Sequence, residues 1–275
     1  LFAPHDLPVN LPELTQRGLG TDKYPPHAPP FRAPNRSAPV RLSGKAKGSL
    51  PMFAHMEIGR IAGIPIYLDM MFVLVLLLFT SPYFTGGSTE AMSAGFVIVV
   101  GLLISILLHE LGHALMGRPF NAHVSHIELT ALGGLAHFER SLPRSVFART
   151  LIYLAGPAVN VGLWLGFGAL ARQAYGNGLW MLGLPLGELA VANLVLAIFN
   201  LMPAYPLDGG WTLDAWLGRV LGPVWSVRIV AGLGLLIAAG VAYLAFPHSF
   251  FLLFVALFLA LWNWQKLQSV GGWQR

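Results

Sequence analysis

Six long apolar runs dominate this 275-residue chain and leave very few folds open to it. They cover about residues 66–84, 91–116, 146–171, 186–203, 224–246 and 250–264. Each is close to the ~20 residues a helix needs to cross the hydrocarbon of a bilayer. Inside lipid every main-chain polar group must find its partner within the protein, so runs of this length imply helices. Composition agrees: 55% of residues are apolar and 11% charged, against about a quarter charged in soluble domains. The expected fold is therefore an all-α polytopic membrane protein of six transmembrane helices. A small β-hairpin or sheet element is expected between helices two and three. There, residues 124–138 are too polar for a span, and Gly133-Gly134 reads as a turn. Pro185, Pro203, Pro206, Pro223 and Pro247 stand at or near span ends, as helix terminators do.

Ahead of this domain, expected over 58–270, residues 1–57 read as a disordered basic tail. Ten of the chain's 20 prolines fall in the first 51 residues, with no apolar period to support a core. The net charge of +5 does not point to nucleic acid, because eight of the 17 Lys and Arg lie in the first 60 residues and the rest flank the apolar runs. Arg118, Arg140, Arg144 and Arg149 follow the second run, Arg219 and Arg228 the fourth, and Lys266 and Arg275 the sixth. The other three connections carry only Arg172. Basic residues at every second connection predict a multi-pass protein of the cell membrane with both termini cytoplasmic. There is no cysteine, so disulfides, thiolate metal sites and a cysteine nucleophile are excluded.

Ionisable groups within apolar runs are costly and mark functional sites. The second run carries His109-Glu110-Leu111-Gly112-His113. On a helix, positions i and i+4 stack on one face, so both imidazoles reach a single zinc ion, with Glu110 beside them as a general base. Hydrolytic zinc takes three protein ligands and keeps one position open. Without cysteine the third must be His, Asp or Glu at matching depth. Asn200-Leu201-Met202-Pro203-Ala204-Tyr205-Pro206-Leu207-Asp208-Gly209-Gly210, at the end of the fourth run, supplies Asp208 on a broken helix. Such breaks at membrane depth occur where they are buried in protein or line a polar cavity. The 124–138 segment either packs on the bundle as a plain hairpin or offers its edge to an extended substrate, which would satisfy the substrate's main-chain groups beside the metal, with Gly133 and Gly134 at the point of contact.

These paired motifs resemble the site-2 protease family of intramembrane zinc metalloproteases, in its small subgroup without a PDZ domain. Ala155-Gly156-Pro157-Ala158-Val159-Asn160 is similar to that family's third core motif, and Ile58-Gly59-Arg60 with Gly63-Ile64-Pro65 to the lead-in of its small members. The resemblance implies one Zn2+ per chain on His109, His113 and Asp208, with Glu110 as general base. It places Asn200 beside the metal, as donor to the developing oxyanion or orienter of substrate. Asn160 takes a similar substrate-binding role, or packs helices. Neither a nucleotide-sensing module after the last span nor a PDZ-like insert is expected. The implied function is regulated cleavage of transmembrane or membrane-associated protein substrates. The implied partners are that substrate and the lipid bilayer, with a homo-oligomer or a regulatory membrane partner left open. The alternative is a divalent-metal transporter using the same His/His/Asp cluster, which the lack of an internal repeat disfavours. Asp69 either lines a water route or snorkels from a span end. His123, His126 and His137 are expected to be interfacial, with no metal site among them.

Overall fold

The computed structural model describes residues 56–271 apart from 86, 131, 132 and 140. The expected tail lies outside the described residues, except that Met56 and Glu57 begin a strand instead. Strands β1 (Met56–Ile61) and β2 (Ile64–Leu68) form a hairpin across Ala62-Gly63. Both turn residues have positive φ, the backbone that matches the twist of a two-residue hairpin loop. The expected first span is thus divided. Its opening residues are strand, and helix α1 covers only Met70–Thr85. An unbroken apolar run does not distinguish a buried strand from a helix, and β-branched Ile64 and Ile66 favour the former. Asp69 joins the two elements: its N–H donates to Leu129 O at 2.9 Å, and its carboxylate accepts from Met71 N at 2.9 Å. That is a helix-start capping role.

Helix α2 (Thr89–Gly117) starts at Ser88, whose hydroxyl accepts from Ala91 N at 3.0 Å. A 3-10 turn over Arg118–Phe120 leads to β3 (Val124–Thr130) and β4 (Gly133–Phe138). The sheet order is β1-β2-β3-β4, antiparallel at both ends and parallel between β2 and β3. Parallel neighbours need a crossover, and α1 with α2 provides it. The element between the second and third runs is therefore half of a four-stranded sheet whose other half precedes α1. Gly133 and Gly134 open β4 rather than turning the hairpin; the connection at 131–132 lies outside the described residues.

The remaining helices are α3 (Val146–Gly176), α4 (Trp180–Asn200), α5 (Asp208–Leu221), α6 (Pro223–Ala245) and α7 (Phe250–Ser269). Of the described helices, α2, α3, α4, α6 and α7 are long and apolar enough to cross a membrane, while α1 is apolar but has only 16 residues. Pro185 lies inside α4, in its second turn, where it costs a single main-chain bond, and Pro223 starts α6 rather than ending a span. The connection after the fourth run holds the unexpected α5, whose Trp211, Leu213 and Leu217 pack toward Val230 and Ala231 of α6. Ile66, Ile127, Leu129 and Ala136 of the sheet pack on Leu107, Leu111 and Ala114, the stretch of α2 that carries the two histidines. Leu78, Phe79, Leu184, Leu236, Leu244 and Phe250 face outward, as side chains surrounded by lipid do.

Candidate metal centre

His109 and His113 stack on one face of α2, as their spacing predicts, and Asp208 meets them from the first turn of α5. All three are buried. The two Nε2 atoms stand 3.1 Å apart, and Asp208 Oδ2 lies 3.3 Å from that of His109 and 3.5 Å from that of His113. Three donors held 2.0–2.2 Å from one tetrahedral ion stand roughly 3.3–3.6 Å apart. The triangle therefore has the dimensions of a zinc ligand set.

The opposite side of each ring fixes what faces inward. His109 Nδ1 contacts Asn160 Oδ1, and His113 Nδ1 lies 2.7 Å from Ile152 O. Both oxygens only accept, so each Nδ1 carries the hydrogen and each Nε2 turns a lone pair into the triangle. Asp208 Oδ2 accepts no hydrogen bond there. Three electron-rich atoms packed this closely without hydrogens repel one another unless a cation joins them. Behind Asn160 the chain continues: its Nδ2 donates to Asn193 Oδ1 at 2.9 Å, and Asn193 Nδ2 donates to Ser105 Oγ at 3.0 Å. Such outer contacts hold metal-ligating imidazoles in orientation.

Helix α3 also makes room. A Cβ on Gly156 would collide with Nε2 of His113 and stand 2.6 Å from Nε2 of His109. Ile152, Gly156 and Asn160 are spaced by four on one face of α3. They grip one ring, clear the centre and grip the other. Asp208 is placed by the turn before it. Asn263 of α7, fully buried, accepts from Tyr205 N at 3.0 Å and donates to Tyr205 O at 2.6 Å. Lys266 of the same helix lies over the rings of Trp211 and Tyr205, 4.5 and 5.3 Å from their centroids. Side chains at Gly209 and Gly210 would run into the carbonyls of Leu201 and Ala204, so the glycine pair lets α5 start against its own lead-in.

Glu110 is 3% exposed, and its Oε2 is buried without a hydrogen-bond partner. Strand β4 crosses directly over it. A Cβ on Gly134 would overlap the carboxylate, standing 2.6 Å from Cδ. Gly134 thus lies against Glu110, and Gly133 precedes it at the strand start. Asn160 is elsewhere than a substrate-binding role requires: fully buried behind His109, with its amide engaged by His109 and Asn193. Asn200 ends α4, half-buried, and donates to Leu196 O at 3.0 Å within its own helix. Sequence reasoning gave no role to Gly156, Asn193, Ser105 or Asn263. Polar residues inside apolar runs were the available signal for the last three.

Residues 97–180, which include both histidines, Glu110 and Asn160, match the model of peptidase family M50. The chain is 32% identical over 177 residues to a zinc metalloprotease of Methanocaldococcus jannaschii, covering 64% of this chain and 49% of that one. It is 30% identical over 191 residues to the Rip2 protein of Mycobacterium tuberculosis, covering 56% of this chain and 74% of that one. The chain belongs to peptidase family M50. The solved site-2 protease from Methanocaldococcus jannaschii matches this M50 fold with a TM-score of 0.57 at 25% identity, over 78% of this chain and 95% of that one. The chain spans about half the length of the first curated relatives it matches. With its apolar helices and M50 relatives it is a multi-pass membrane protein with a buried His/His/Asp centre able to hold one metal ion.

Proposed function

We propose that this chain is an intramembrane zinc endopeptidase that cleaves transmembrane or membrane-associated protein substrates. The observation that carries the reading is the convergence of His109, His113 and Asp208 from two helices within 4.8 Å. Glu110 is the residue next to His109 on α2. A bound zinc ion supplies Lewis acidity, which makes water nucleophilic near neutral pH and polarises a carbonyl. Glu110 takes the proton from the attacking water. The water oxygen bonds to the scissile carbon, the C–N bond breaks, and Glu110 returns the proton to the departing nitrogen. Asn200 orients the substrate or donates to the developing oxyanion after swinging off Leu196. Asn160 keeps His109 in register.

Strand β4 is the edge of the sheet on the Glu110 side. An unwound substrate segment that adds to this edge satisfies its main-chain groups and meets Glu110 at Gly133-Gly134. The basic connections support a cytoplasmic location for both termini, with α1 as a sixth membrane helix. Neither the fold nor the relatives favour the metal-transit alternative.

The deciding experiment is Glu110→Gln in the purified full chain. Zinc content should match the unmodified protein while cleavage of a model membrane substrate stops. His109→Ala and Asp208→Asn should lose cleavage together with the zinc held at this centre. Cleavage retained by E110Q removes the general-base assignment, and zinc flux into liposomes would favour transit.

A further inference from the structure

A second set of metal-type side chains lies on the sheet, apart from the centre on α2 and α5. Successive strand residues point to opposite faces, so His126 and Glu128 of β3 share the face opposite Ile127 and Leu129. The antiparallel register brings His137 of β4 across from His126. The two imidazoles stack at 4.2 Å with 14° between their planes, and His137 Nε2 lies 3.0 Å from Glu128 Oε2. One ligand atom from each of the three falls within 4.8 Å of the others, and all three are half-buried, within reach of ions in solution.

The surroundings orient these groups as ligands. Ser125 Oγ donates its one hydrogen to His137 O at 3.1 Å, and so must accept from His126 Nδ1 at 2.9 Å. With Nδ1 donating, Nε2 is the ring nitrogen that can offer a lone pair to a cation. A hydroxyl gripping the far nitrogen is the outer contact that metal-bound histidines commonly have. Tyr67 of β2 meets the His126 ring edge-on at 5.5 Å. Two imidazoles and one carboxylate offer an N,N,O set, which suits a zinc-like divalent ion once that ion replaces the hydrogen between His137 Nε2 and Glu128 and turns one ring out of the stack.

We propose that His126, Glu128 and His137 form a second zinc site, distinct from the centre of His109, His113 and Asp208. Its occupation ties β3 to β4, the strand whose Gly134 lies against Glu110. The test is zinc titration of the chelator-stripped full chain in detergent. The unmodified protein should take up two equivalents. His126→Ala, His137→Ala and the near-isosteric Glu128→Gln should each take up one and keep the cobalt absorption spectrum of the α2–α5 centre, which also reports that they are folded. A His109→Ala/Asp208→Asn double variant should keep one equivalent, and adding His126→Ala should remove it. This arm stands or falls independently of proteolysis. Uptake of a single equivalent by the unmodified chain overturns the proposal. So does a second equivalent that survives all three sheet variants, which would place it on histidines such as His5, His27 or His55.

Discussion

Gly156→Ala perturbs the metal centre without touching a ligand. The new methyl would stand 2.6 Å from His109 Nε2 and from His113 Cε1, where ordinary contact begins near 3.4 Å. The His109 ring must therefore retreat by about 0.8 Å to regain ordinary contact, and the His113 ring, whose Nε2 is nearer still, by more. Neither ring can retreat easily, because His113 is bonded to Ile152 O and His109 to Asn160, one turn to either side on the same helix. Zinc–ligand distances tolerate about 0.2 Å, and disturbing what orients a ligand costs about 10–100-fold in metal affinity. The zinc affinity of this centre should fall to that extent, by ~1.4–2.7 kcal/mol. Competition against a chromophoric chelator measures it, in a His126→Ala background so that one centre reports, with circular dichroism showing the fold. Gly162→Ala is the control, since a Cβ there meets nothing within 4 Å. It should leave zinc binding unchanged and raise stability by up to ~1 kcal/mol. Zinc affinity unchanged in G156A would refute the convergence of both rings against α3.

Asn160→Ala should weaken zinc by ~10–100-fold and Asn160→Asp, which keeps the acceptor oxygen, by less; equal losses in the two would argue against the His109 contact. Gly134→Ala pushes β4 onto Glu110, so cleavage should fall at least ~10-fold with zinc retained, and parallel loss of metal would point to a misfolded sheet instead. Asn263→Leu strips the partners from Tyr205 N–H and C=O, each worth about 1–3 kcal/mol when buried; the melting temperature and zinc affinity should both drop, and an unchanged melting temperature would dismiss the clamp.

What the sequence disclosed was whatever chemistry is local. His109 and His113 are one helical turn apart, so their shared face follows from helix geometry, and Asp208 followed from the lack of cysteine and a broken helix. The spans were legible as apolar length, but their ends were not. Ile64–Leu68 and α1 form one apolar stretch, and only pairing with β1 and β3 makes its first part a strand. Helix α5 was hidden because its 14 residues open on Asp208-Gly209-Gly210, which reads as a turn. The roles of Gly156 and Gly134 exist only through what another element brings against them. His126 and His137 are eleven residues apart, and their contact depends on a strand register that spacing alone does not give.

The grip of Asn263 on Tyr205 has a consequence for the order of events during synthesis. Two imidazoles enter the bilayer early, on the second helix, but the carboxylate is locked in place by the seventh. A nascent chain still leaving the ribosome therefore holds an incomplete ligand set. The set closes only after the last described helix has docked, so the metal centre is assembled late in folding.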